Sequence, residues 1–198
     1  MAKRLFDMVC ALIGLVVLSP LFLVIAVWIK LDSKGPVFFR QVRVGRNGKP
    51  FRIHKFRTMG VNSESVGRLT VGNDSRVTRS GHFLRKSKID ELPQLIDVVV
   101  GNMSLVGPRP EVQEFIDCYP SEVRREVLSV RPGITDLASI EMVDENEILA
   151  KYTDSRKAYI EQILPIKQQY YVDYVRNNTL FEDISIIFKT IYKIVNRN

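Results

Sequence analysis

The chain has 198 residues, a formal net charge of +7 and a pI of about 9.5. That surplus selects anionic partners such as phospholipid headgroups, nucleotides or nucleic acid. The two cysteines, Cys10 and Cys118, are far apart and in no CxxC pair, which excludes a disulfide framework and a zinc site and suits a reducing compartment.

Residues 8–29 form an uninterrupted apolar run with Ser19-Pro20 near its middle. As a helix at ~1.5 Å per residue the run measures about 33 Å, just enough to cross a hydrocarbon core of about 30 Å. Pro20 lacks an N–H, so the Val16 carbonyl loses its helical partner, and the Ser19 hydroxyl can bond back in its place. Lys3 and Arg4 precede the run and Lys30 and Lys34 follow it. Basic residues on both flanks conflict with a simple spanning orientation. Three readings stay open on these residues: a kinked span, a re-entrant hairpin returning both ends to one face, and a signal peptide. The last lacks a small-residue cleavage site. About 165 residues follow, enough for one compact domain.

From Arg40 to Arg57 there are seven Lys or Arg and no acidic residue. Alternating apolar positions around Asn47-Gly48 predict a β-hairpin with its basic residues on one face. That face suits an anionic bilayer or a phosphate-binding wall equally. Gly48-Lys49-Pro50 is not a P-loop, because the upstream glycine is missing and proline stands where Ser or Thr is required. Residues 62–80 are polar and read as a long loop. Arg76, Arg79, Arg85 and Lys86 extend the basic surface.

A helix is expected from Asp90, as N-cap, with Pro93 in its first turn and its end near Gly101. Gly107-Pro108-Arg109-Pro110 and Arg131-Pro132-Gly133 read as rigid turns. Residues 144–177 carry an amphipathic helical pattern. In residues 180–195, Leu180, Ile184, Ile187, Phe188, Ile191 and Ile194 form a stripe that packs on the domain or lies on a bilayer.

Adjacent carboxylates, Asp90 and Glu91, stand among Arg79, Arg85, Lys86 and Lys88. Nearby cations keep such a pair ionised, able to hold Mg²⁺ and to present one oxygen as a nucleophile. The bland alternative is a helix cap with surface ion pairs.

The chain resembles the small monotopic polyprenol-phosphate phosphoglycosyl transferases of bacteria. The resemblance is carried by KRLFD before the apolar run, Ser19-Pro20, GPVFFRQ at 35–41 and KFRTM at 55–59. It continues through DELPQL at 90–95, GPRP at 107–110 and RPGIT at 131–135. It covers most of the chain and is closest to members with little beyond the catalytic unit. It implies an α/β fold, with a re-entrant membrane helix broken at Ser19-Pro20 over residues 1–34. A cytoplasmic catalytic domain with interfacial amphipathic helices fills 35–198. The implied reaction moves a sugar 1-phosphate from a UDP-sugar to undecaprenyl phosphate and releases UMP, at the bacterial inner membrane. In that reading Asp90 is the nucleophile, Glu91 helps bind Mg²⁺ or handles protons, and Lys55, Arg57, Arg109 and Arg131 are candidates to clamp phosphate.

The match weakens after Thr135. Many members continue with Gly-Trp, whereas here Asp136-Leu137 begins an acidic stretch to Glu147, which leaves the sugar open. Two other classes compete. A UDP-releasing glycosyltransferase would be expected to carry a DxD motif, which is missing. A non-catalytic membrane adaptor has no need of Asp90-Glu91 beside a Pro-Arg-Pro turn. A nucleic-acid binder is disfavoured, because no recognised module interleaves aromatic residues with the basic run.

Overall fold

The computed structural model describes residues 2–61, 63, 74–142 and 145–196; most of the loop expected at 62–80 lies outside them. Helix α1 runs from Ala2 to Asp32 and is long and apolar enough to cross a membrane. It continues through Pro20, and Ser19 Oγ donates to the Val16 carbonyl at 2.8 Å, the carbonyl that proline leaves open. A seam of Ala11, Leu15, Leu18, Phe22, Ile25 and Ile29 packs on the rest of the protein. These spacings of three and four residues mark one helical face. Leu5, Ile13, Val16, Leu23, Val24 and Leu31 on the rest of its surface stay exposed.

Both ends of α1 are tied to the same body. At the N-terminal end, Lys3 Nζ meets Asp183 Oδ2 at 2.6 Å and Arg4 donates to the Val98 carbonyl. Buried Asp7 accepts from Ser104 Oγ at 2.7 Å and from the Leu105 N–H. At the other end, Asp32 accepts from the Ser80 N–H and hydroxyl at 3.0 and 2.7 Å.

The strands are short. β1 (Phe38–Phe39) pairs antiparallel with β4 (Lys55–Phe56), and β2 (Val42–Val44) with β3 (Pro50–Arg52). The β2–β3 hairpin turns through Asn47 and Gly48, both at positive φ, as the Asn-Gly pair predicts. Its basic residues do not share a face. Arg43 pairs with Phe51 and Arg52 with Val42, so the two arginines fall on opposite sides. β5 (Ser104–Val106) and β6 (Gly133–Thr135) run parallel. They bring the two rigid turns together so closely that a Cβ on Gly133 would lie 2.1 Å from the Gly107 nitrogen.

Helices α2 (Arg79–Lys86) and α3 (Gln94–Val100) flank the Asp-Glu pair, and α3 ends at Gly101 with φ 99°. Beyond β5, α4 (Gln113–Ile116), α5 (Ser121–Val127), α6 (Leu137–Glu141), α7 (Glu145–Ala150), α8 (Ser155–Ala158) and α9 (Leu164–Asn177) complete the larger core. Phe115, Ile116, Leu149, Tyr159, Leu164 and Tyr171 fill it. The helical pattern expected over 144–177 is therefore interrupted. Asp154 accepts from the Lys157 N–H and restarts the helix as an N-cap. α10 (Leu180–Val195) forms as expected but buries a different face. Asp183 and Ile186 are buried, while Phe188 and Ile191 of the anticipated stripe are exposed.

Candidate active site

Lys88 sits in left-handed backbone at φ 58°, which is rare for a residue with a Cβ. From there the chain enters a 3₁₀ turn over Ile89–Glu91, and α3 follows with Pro93 as its N-cap. Asp90 is thus inside the turn rather than the N-cap itself. The correction follows from Lys88, whose backbone bend starts the turn earlier than a capping pattern indicates.

The two carboxylates have different surroundings. Glu91 Oε1 lies 2.7 Å from Lys55 Nζ, and Arg109 donates to both Glu91 oxygens, at 3.1 Å from Nη1 and through Nη2. Asp90 is 8% exposed, and its Oδ1 has no hydrogen-bond partner among the described residues. Burial and the Glu91 charge push the Asp90 carboxyl up to about 6, against the pull of Lys55, Lys88 and Arg85. Burial also acts on Glu91, but Arg109 and Lys55 outweigh it and hold that carboxyl well below the usual range. Burial lowers the Lys55 ammonium to about 8, with Glu91 opposing the shift. Glu91 raises Arg109 above the ordinary arginine value despite burial, so it stays charged.

The four expected phosphate ligands divide into two pairs at this point. Lys55 and Arg109 converge on Glu91, as above. Arg57, 4% exposed, spends its guanidinium elsewhere: Nε donates to the Pro36 carbonyl at 2.6 Å, Nη1 to Ser33 Oγ and Nη2 to the Ser33 carbonyl, both at 2.8 Å. It holds the chain leaving α1 against the end of β4. Arg131 Nε donates to the Gly101 carbonyl at 2.9 Å, at the opposite end of α3 from Asp90. Ser19 and Pro20 lie in α1 and do not end it.

Several supporting residues escaped the sequence reading. Arg43 Nη1 donates to the Pro110 carbonyl at 3.0 Å and lies 3.8 Å from Glu111 Oε2, bracing the turn that carries Arg109. Glu111 also accepts from the Tyr159 hydroxyl at 2.7 Å. Asp97 takes the His54 N–H and ring Nδ1, each at 2.8 Å, and pins the residue before Lys55 to α3. The available signal was adjacency: His54 precedes Lys55 and Glu111 follows Pro110.

A buried carboxylate with a free oxygen, beside a second carboxylate neutralised by two cations, suits nucleophilic attack at an anionic centre. Among the described residues no cluster of three metal-binding side chains occurs. Magnesium is usually held by one or two carboxylates together with substrate phosphates, and the open Asp90 oxygen beside Glu91 fits that pattern.

The sequence model of the bacterial sugar transferases matches residues 1–197. The chain belongs to the bacterial sugar transferase family. The chain is 42% identical over 98% of its length to the UDP-N-acetylgalactosamine-undecaprenyl-phosphate N-acetylgalactosaminephosphotransferase of Aeromonas hydrophila, covering 43% of that protein. It is 41% identical over 96% of its length to the UDP-glucose:undecaprenyl-phosphate glucose-1-phosphate transferase of Klebsiella pneumoniae, covering 39% of it. The chain thus spans about two-fifths of these two relatives. It spans 84% of the exopolysaccharide production protein ExoY of Rhizobium meliloti (strain 1021), at 39% identity over 96% of its own length.

Proposed function

We propose that the protein transfers a sugar 1-phosphate from a UDP-sugar to undecaprenyl phosphate, releasing UMP and opening the assembly of a bacterial glycan. The observation that carries this reading is the division of labour between Asp90 and Glu91: one buried carboxylate open, the other locked by Lys55 and Arg109. The names of the relatives supply the substrate classes.

In this reaction an Asp90 oxygen attacks the phosphorus that bears the sugar. The bond from that phosphorus to the bridging oxygen breaks, and UMP departs with the electron pair. The product is an aspartyl phosphate, an anhydride that retains transfer potential. An oxygen of the lipid phosphate then attacks the same phosphorus, freeing the carboxylate and leaving the sugar on a lipid diphosphate. Lys55 and Arg109 neutralise Glu91 and lend positive charge to the diphosphate. Asp90 and Glu91 would hold Mg²⁺, which when bound would offset charge on the phosphoryl oxygens.

The protein acts as a monotopic enzyme on the cytoplasmic face of the inner membrane. The ties at both ends of α1 support this topology, since a helix crossing a bilayer separates its ends by about 30 Å of hydrocarbon. Exposed apolar residues on α1 and on α10, where Phe181 is 83% exposed, suit lipid contact. A re-entrant bend at Ser19-Pro20 would let α1 dip and return.

The test is the nucleotide released when the purified protein meets Mg²⁺, undecaprenyl phosphate and a panel of UDP-sugars. UMP, lost on Asp90→Asn, is the expected product and identifies the donor. UDP would mean that the sugar moves without its phosphate.

A further inference from the structure

Five buried side-chain polar atoms lack a hydrogen-bond partner among the described residues: Arg43 Nε, Asp90 Oδ1, Gln94 Nε2, Tyr119 OH and Tyr171 OH. Tyr119 and Tyr171 belong to the larger apolar core, and Arg43 is already engaged with Pro110. Asp90 and Gln94 differ, because the two lie one turn apart in a continuous stretch. Leu92 and Pro93 between them have helical backbone angles, so the 3₁₀ turn runs directly into α3. Residues four apart on such a stretch are neighbours on one face.

Gln94 is 1% exposed. A buried amide N–H₂ with nothing to donate to is a net cost to the folded state, so folding alone gives no reason for it. A leucine or methionine of similar size would serve the packing better. Lys55 and Arg109 are committed to Glu91. The amide is an uncommitted, uncharged donor one turn along from a carboxylate whose own oxygen is open.

We propose that the Gln94 carboxamide donates an Nε2–H to a non-bridging oxygen of the phosphoryl group that reacts at Asp90. This rests on the reading of Asp90 as nucleophile and adds a catalytic residue to it. The donor gains its partner only when substrate arrives, and more fully as that oxygen gathers charge in the transition state. Such a contact accelerates the chemistry without stabilising the free protein.

The two effects separate in one set of variants of the full chain, purified in detergent. Gln94→Met keeps the volume and removes the donor. Gln94→Glu keeps the shape and replaces the amide N–H₂ with an acceptor. Each is compared with wild type and Asp90→Asn for UMP release at saturating undecaprenyl phosphate, and for the thermal transition without substrate. Gln94→Met is expected to melt at or above the wild-type temperature while kcat/KM for the UDP-sugar falls about 100-fold or more. Gln94→Glu should be slower still. Wild-type turnover in either variant, or a loss of turnover in Gln94→Met that tracks a lower melting temperature, overturns the assignment. If Asp90→Asn also retains turnover, or wild type releases UDP, the functional reading itself falls. If Asp90→Asn is dead and Gln94→Met is normal, only the role of Gln94 falls.

Discussion

Lys55 Nζ stands 2.7 Å from Glu91 Oε1 and thereby joins β4 to the turn that presents Asp90. The contact sets the charge state of the whole site. Asp90, pushed up to about 6, must lose its proton to attack, so activity should rise with pH through that value. Lys55, lowered to about 8, must keep its proton to neutralise Glu91, so activity should fall above it. A bell-shaped profile of kcat/KM with an optimum near pH 7 is expected. Lys55→Ala removes a charge that lowers the Asp90 pKa, so it should move the acid limb to higher pH. Glu91→Gln removes a charge that raises it and should move the limb the other way, at lower overall rate. Equal shifts in one direction would break the link between the pair.

Arg57 and Arg109 are both arginines of the resembling motifs but should behave oppositely. Arg57→Ala abandons three bonds to Ser33 and Pro36, and should cost about 2–4 kcal/mol of stability with little change in kcat/KM per folded molecule. Arg109→Ala should lower kcat/KM by about 100-fold or more. Thermal melts and UMP release on the same preparations decide between them.

Asp7→Ala tests the tie at the start of α1. It leaves Ser104 Oγ and the Leu105 N–H without an acceptor and should cost about 2–4 kcal/mol. Limited proteolysis in lipid nanodiscs should cut this variant far faster than wild type. Lys3→Ala, at a half-exposed position, should show a smaller effect.

Two glycines separate close approach from backbone freedom. Gly133→Ala puts a Cβ against the Gly107 backbone and should force β5 and β6 apart, displacing the Arg109 turn and abolishing turnover. Gly48→Ala meets nothing within 4 Å and is strained only by its φ of +75°. It should cost about 1–2 kcal/mol and leave kcat/KM unchanged.

The parts of the site that were legible in the sequence are those fixed locally. Pro108 and Pro110 stiffen the turn around Arg109, and Asp90 and Glu91 are chain neighbours. Arg57 was read from its motif, and its bonds to Ser33 and Pro36, more than 20 residues back in the chain, are encoded by no local pattern. Arg131 was read from its motif, yet its guanidinium turns to Gly101, a contact 30 residues away that no local pattern encodes. Gln94 left no charge pattern, and its isolation appears only when burial and hydrogen bonds are seen together. The left-handed Lys88 was equally hidden, since glycine is the usual residue there.

The most direct test of the account follows the phosphorus atom that bears the sugar. Wild-type protein is incubated with Mg²⁺ and its active UDP-sugar labelled at that phosphorus, first alone and then with undecaprenyl phosphate. The account predicts label on the protein with release of unlabelled UMP in the first stage, both absent in Asp90→Asn, and passage of the label to the lipid in the second. Label remaining in free UDP while sugar reaches the lipid would contradict it.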